Sequence, residues 1–189
     1  MSRDRHVNLD AQDTLERWLA TVPDWKAKRG IFVVVGRAGT GKTYVLRQWA
    51  AQIRAQYVNV NLELLKLAFP HESESELSEL SSQPNREYTA ELLGKAFRAL
   101  LETLPETLPE KGSSKIVVLD HWELLQDFKV PLEPQSLLGE HAARTGQKFV
   151  LVTGGYEARG RFYLGGKDRY GWRRDEAQFL NQYFWLEGA

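Results

Sequence analysis

The stretch "IFVVVGRAGTGKTYVLRQW", residues 31–49, constrains this chain more than any other. Ile31 to Val35 is apolar without a break and rich in β-branched side chains, which reads as a strand buried on both faces, the central strand of a parallel sheet. From Thr43 to Ala55, Val45, Leu46, Trp49, Ala50 and Ile53 recur at helical spacing, a stripe able to pack on that sheet. Gly36, Gly39 and Gly41 stand between these two ordered elements. Glycine opens backbone angles closed to other residues, so successive N–H groups can turn inward around an anion while the next helix aims its N-terminal dipole at the same spot. The order strand, glycine loop, helix therefore predicts an anion cradle at the C-terminal edge of a sheet.

The spacing of Gly36, four residues, Gly41, Lys42 and Thr43 is that of the phosphate-binding P-loop, the Walker A motif. It predicts that Gly36, Arg37, Ala38, Gly39, Thr40, Gly41, Lys42, Thr43 and Tyr44 hold the phosphates of ATP. Lys42 would reach the β- and γ-phosphates, and the Thr43 hydroxyl would ligate Mg²⁺. "KIVVLD" ends in Asp120, an acid at the tip of a second buried strand, where a sheet presents side chains to a ligand. With a P-loop upstream, Asp120 is expected to act as the Walker B aspartate, holding Mg²⁺ directly or through water opposite Thr43.

The remaining elements complete an α/β expectation. Asp10 to Thr21 reads as a short amphipathic helix leaning on the sheet edge, with Leu15, Trp18 and Leu19 on one side. "QYVNVNLEL" alternates Tyr57, Val58, Val60 and Leu62 with polar residues, suggesting a strand that passes into a helix near Leu64 to Phe69. Residues 70–86 are acidic and serine-rich and read as a loop. Glu87 to Leu104 shows the clearest helical periodicity, and "KFVLVTGG" is a further strand. Strands alternating with helices predict a three-layer P-loop NTPase fold around a mainly parallel sheet, one domain over 1–189. Residues 154–189 are too few for the usual sheet completion and a separate helical lid, so an AAA+-like core without a lid domain is expected.

Composition narrows the partners. The formal net charge is zero, so no overall field draws the chain to nucleic acid or to anionic membrane, and DNA contact would need a local patch. There is no cysteine, and His6, His71, His121 and His141 show no metal-ligand spacing. "MSRDRHVNLD" lacks the apolar core of a signal peptide and no run approaches membrane-spanning length, so a soluble cytoplasmic protein is expected.

Hydrolysis needs a group that orients water. Many hydrolytic P-loop proteins carry a glutamate directly after the Walker B aspartate, whereas His121 stands there and Glu123 follows three residues after Asp120. Glu123 either faces the γ-phosphate, if the strand ends in a helical turn, or caps that turn. His121 packs or acts as a base. Thr153, read as the end of its strand, either touches the γ-phosphate in the manner of an AAA+ sensor residue or is an ordinary strand-end residue. Arg159, Arg161, Arg169, Arg173 and Arg174 lie among glycines and aromatics. They belong to a solvated surface, to an arginine supplied in trans, with Arg173 and Arg174 the first candidates, or to a nucleic-acid contact.

The opening helix, "VVVGRAGTGKT", "VNVNLEL", "VVLDHWELL" and the arginine-rich C-terminal segment, in this order and in a short chain, resemble BrxF, the small P-loop ATPase of some bacteriophage-exclusion (BREX) defence systems. That resemblance implies ATP-dependent work beside larger phage-defence proteins that recognise and modify DNA, with Gly36 to Thr43 and Asp120 binding ATP; a homo-oligomer is expected from the need for an arginine in trans. The 70–86 segment departs from the pattern. Two other readings stay open. A small-molecule kinase would need an acid at the tip of the second strand, where this chain reads "NVNLE". A nucleotide-dependent assembly switch would bind ATP and scarcely hydrolyse it. No Asn-Lys-x-Asp guanine-reading motif is present.

Overall fold

The computed structural model describes residues 9–21, 30–36, 39–70, 86–104, 115–128, 130, 134–158, 161–164, 171–173 and 183–186. Strand β1 (Ile31–Gly36) lies inside the sheet and is buried along its whole length. The strand pairs in parallel with β4 (Lys148–Ala158) on one side and β7 (Tyr183–Leu186) on the other. Next to β4 come β3 (Ile116–Asp120) and then, at the edge, β2 (Gln56–Asn59). The order β2-β3-β4-β1-β7 is parallel throughout, and the expected α/β architecture is present.

Helices cover both faces, as parallel connections require. On one face α1 (Leu9–Thr21) and α2 (Lys42–Gln52) pack Leu15, Leu19, Val45, Leu46 and Trp49 against Phe32, Val34, Val118 and Val150. Helix α1 lies over this face with its Trp18 edge-on to Phe32, and it also meets β7, the edge strand. The other face carries α3 (Val60–Ala68), α4 (Arg86–Thr103), α5 (Glu123–Asp127) and α6 (Pro134–Thr145). There Leu64, Leu93, Phe97, Leu125 and Leu138 meet Val33, Val35, Leu119 and Leu151. The period of two in each strand sorts alternate residues to the two cores.

Two expectations change. The second strand ends at Asn59, and α3 begins at Val60, not near Leu64. Asn59 is the reason: its side chain accepts the Leu62 N–H at 3.0 Å and caps the helix, while Val60 and Leu64, one turn apart, are buried together. Strand β4 does not end at Thr153 but runs on to Ala158. Its extension pairs antiparallel with β5 (Arg161–Leu164), which pairs with β6 (Gly171–Arg173), setting Arg161 opposite Arg173. As expected, no separate lid is evident among the described residues; β7 completes the sheet within 154–189. Most of the 70–86 segment lies outside the described residues.

Glycine fixes the start of β1. Gly30 has φ +60, and a Cβ there would lie 2.7 Å from the Gln147 carbonyl oxygen and 3.3 Å from Ala142 Cβ. Gly146, at φ +70, has open space around the same position. Gly146→Ala is therefore expected to lose only the left-handed penalty, about 1–2 kcal/mol. Gly30→Ala should lose about 1–3 kcal/mol more through overpacking. Urea unfolding of the two variants measures the difference, and equal losses would contradict the close approach at Gly30.

Candidate functional site

The glycine loop joins the end of β1 to the first turn of α2. Gly39 and Gly41 both have φ of 84°, the left-handed region that a Cβ disfavours, and Gly41 is the residue before α2. Gly36, in contrast, stays in β1 and contributes its carbonyl. Helix α2 has no side-chain cap at Gly41 and no acid in its first turn, which leaves its N-terminal dipole free to meet an anion. Arg37 and Ala38 lie outside the described residues.

Lys42 is buried, and its ammonium donates to the Gly36 carbonyl at 2.8 Å and to Thr40 Oγ1 at 3.3 Å. Burial pulls its pKa below the usual lysine value, while the charges of Asp120 and Glu123 push the other way. A polyanion in the loop would favour the charged form further. Tyr44 is exposed, its hydroxyl accepting from Gln48 Nε2.

Asp120 ends β3 on the α2 side of the sheet, in line with Ile116 and Val118. Thr43 Oγ1 donates to Asp120 Oδ2 at 2.8 Å, joining residues 77 positions apart. Two further donors hold the carboxylate: Tyr57 Oη on Oδ2 at 2.6 Å and the His121 N–H on Oδ1 at 2.8 Å. Burial, with the bond to Asp120 second, pushes the Tyr57 pKa well up, so its hydroxyl stays protonated. Arg47 lies over the Tyr57 ring, 4.9 Å from its centroid. Among the described residues no three His, Cys, Asp or Glu side chains gather to hold a metal. The Thr43 and Asp120 oxygens are nonetheless the hard donors Mg²⁺ takes where phosphate and water supply the other ligands.

The chain after Asp120 is not a helical turn. His121 has φ +55, so Asp120 and Glu123 do not share a helix face as the three-residue spacing would have placed them. The bend aims the His121 N–H at Asp120 and its carbonyl at the Asn61 N–H, 2.6 Å away. The His121 ring, 40% exposed, has Nε2 3.8 Å from Asp120 Oδ2. Trp122 is buried and donates its indole N–H to the Val152 carbonyl at 3.0 Å, pinning the turn to β4. Glu123 then opens α5, and its Oε2 accepts from Asn61 Nδ2 at 3.1 Å while Asn61 Oδ1 accepts the Leu124 N–H.

Lys42, Thr43 and Asp120 thus come together, with Glu123 near enough for its charge to act on Lys42. Thr153 is buried beside Val35, and its hydroxyl donates to the Gly154 carbonyl. It follows Leu151 on the face opposite Asp120. Arg173 lies in β6, away from the loop in sequence, and Arg159 and Arg174 lie outside the described residues. Sequence reasoning missed Tyr57 and Asn61. Their partners are more than sixty residues away, and the one local signal for Asn61 was a pair of asparagines at the end of a short strand.

A family model described as an AAA domain matches residues 26–162. None of the curated proteins compared matches the chain.

The turn geometry gives a stability test. A residue at φ +55 costs about 1–2 kcal/mol when it carries a Cβ. His121→Gly should relieve that strain and keep both backbone hydrogen bonds, so its urea midpoint should match or exceed the parent's. His121→Val, β-branched at a positive φ, should fall below it. A stability loss in the glycine variant as large as in the valine variant would show that the ring, not the bend, holds the turn.

Proposed function

Because the chain belongs to the AAA-domain family of nucleotide-binding P-loop ATPases, we propose that it binds ATP with Mg²⁺ and hydrolyses it to ADP and phosphate. The observation that carries this reading is the 2.8 Å bond between Thr43 and Asp120, which sets the two expected metal-side oxygens together at the mouth of the glycine loop. Bound Mg²⁺ would neutralise charge developing on the transferred phosphoryl group. The first turn of α2 and the loop N–H groups bind the phosphates, and Lys42 supplies the cation that the loop directs at β and γ. Glu123 is the candidate for orienting water.

The bond between Glu123 and Asn61 favours a second reading, an assembly switch with little turnover, since a carboxylate engaged by an amide is less available as a base. The kinase reading gains nothing from β2, whose terminal Asn59 is committed to capping α3. As its setting we propose a bacterial BREX-type defence system. The likeness to BrxF supports this, and two of the runs that carry it, "VNVNLEL" and "VVLDHWELL", hold Asn61, Asp120, His121 and Glu123. Homo-oligomers in which Arg173 or Arg174 approaches a neighbour's nucleotide, other defence proteins as partners, and DNA reached through them or a local arginine patch belong to the same proposal. No helix among the described residues is long and apolar enough to cross a membrane.

One variant series tests the chemistry. Lys42→Ala should abolish tight ATP binding in calorimetry and phage protection in cells carrying the system. Asp120→Asn should spare most nucleotide affinity and stop Mg²⁺-dependent phosphate release. Glu123→Gln should bind normally and lose about 10² to 10⁴ in rate if it is the base; a loss below tenfold favours the switch. Equal ATP affinity in Lys42→Ala and parent would sink the assignment.

A mixing experiment tests the shared site. An Arg173→Ala/Arg174→Ala protein and a Lys42→Ala protein, each inactive alone, should regain phosphate release together. Mixed oligomers without activity at every ratio would reject an arginine in trans.

A further inference from the structure

Tyr57 has no part in the scheme above, yet its hydroxyl makes the shortest of the three hydrogen bonds on Asp120, 2.6 Å to Oδ2. A carboxylate oxygen offers two lone-pair sites. On Oδ2 both are engaged, one by Tyr57 and one by Thr43. Oδ1 takes the His121 N–H. Turning the carboxylate about its Cβ–Cγ bond would strain bonds to β2, to α2 and to the turn after β3 together.

Tyr57 is itself well fixed. It pairs in register with Val118 on β3, packs half-buried against the core under α2, and carries the Arg47 guanidinium over its ring. A residue needed only to fill space there could be phenylalanine. The hydroxyl adds a second protein donor on the oxygen nearest Thr43, and it also takes a hydrogen bond from Arg47.

We infer that Tyr57 is a positioning residue for the cation site: by completing the donor set on Oδ2 it fixes the Asp120 carboxylate in the orientation it presents to a cation beside Thr43. Arg47, on the exposed side of α2, steadies the Tyr57 ring from outside. The inference rests on the ATP–Mg²⁺ reading, and it assigns to β2 a role in cation affinity.

The test compares ATP binding by calorimetry in excess chelator and across a Mg²⁺ series, with urea unfolding alongside. Tyr57→Phe should match the parent's ATP affinity in chelator, with an unfolding midpoint lowered only by the one lost hydrogen bond. Its Mg²⁺ half-saturation should rise about tenfold, the low end of the roughly 10–100-fold loss seen when the partner behind a metal ligand is removed. Arg47→Leu, a change at an exposed position, should shift half-saturation in the same direction by less. Unchanged half-saturation in both variants would overturn the inference, and so would tighter Mg²⁺ binding in Tyr57→Phe, which would mean that the hydroxyl competes with the cation. A parent whose ATP affinity ignores Mg²⁺ would overturn the underlying reading as well, a result distinguishable because it appears without any substitution.

Discussion

A parallel sheet brings the C-terminal ends of all its strands to one edge, and that constraint organises everything else in the molecule. Connections between parallel strands must cross a face, so helices cover both sides and the strand tips remain as the place where side chains can converge. Gly36, Asn59 and Asp120 arrive there from β1, β2 and β3. Alternation then decides which side each residue takes. Ile116, Val118 and Asp120 share the α2 side, and Tyr57 on the neighbouring strand joins them. The carboxylate meets Thr43 because the strand has a period of two and α2 starts where the glycine loop releases it.

The turn after β3 shows how a few residues can tie several elements together. Asp120 bonds to α2 and β2, His121 reaches back to Asp120 and across to Asn61, Trp122 grips β4, and Glu123 meets α3 through Asn61. The left-handed backbone at His121 is the cost of that arrangement, about 1–2 kcal/mol. It is offset by bonds that a helical continuation of the strand would not form, since such a turn would aim the same N–H and C=O along one axis. Polar networks of this kind are stable when their members are satisfied, and the amide of Asn61 serves the Glu123 side chain and the Leu124 backbone at once.

What was legible in the sequence was what depends on neighbours along the chain. The apolar run of β1, the glycines, Lys42 and Thr43 stand in one segment, and their spacing alone defines the cradle. Asp120 could be read because it ends an apolar strand. The start of α3 was misread because Val58, Val60 and Leu62 alternate like a strand, and only the cap at Asn59 stops the alternation at Asn59. For Glu123 two geometries stayed open, since nothing in "LDHWELL" announces that His121 bends to positive φ. Tyr57 read as an ordinary strand residue; its role on Asp120 depends on the pairing of β2 with β3, a contact across 63 positions. In the arginine-rich segment, attention to charge hid the short strands β5, β6 and β7.

Strand β3 carries hydrophobic residues to both cores and ends in the single acid of the run, so its two periodic faces cannot be exchanged. Slipping such a strand by one residue sends every side chain to the opposite face. An insertion or deletion of one residue between Ile116 and Leu119 would therefore turn the carboxylate away from Thr43 while leaving composition and hydrophobicity almost unchanged. Substitutions among valine, isoleucine and leucine can drift along this strand. Its length cannot, and in a lineage of such chains the spacing from Ile116 to Asp120 should outlast the identity of every residue between them.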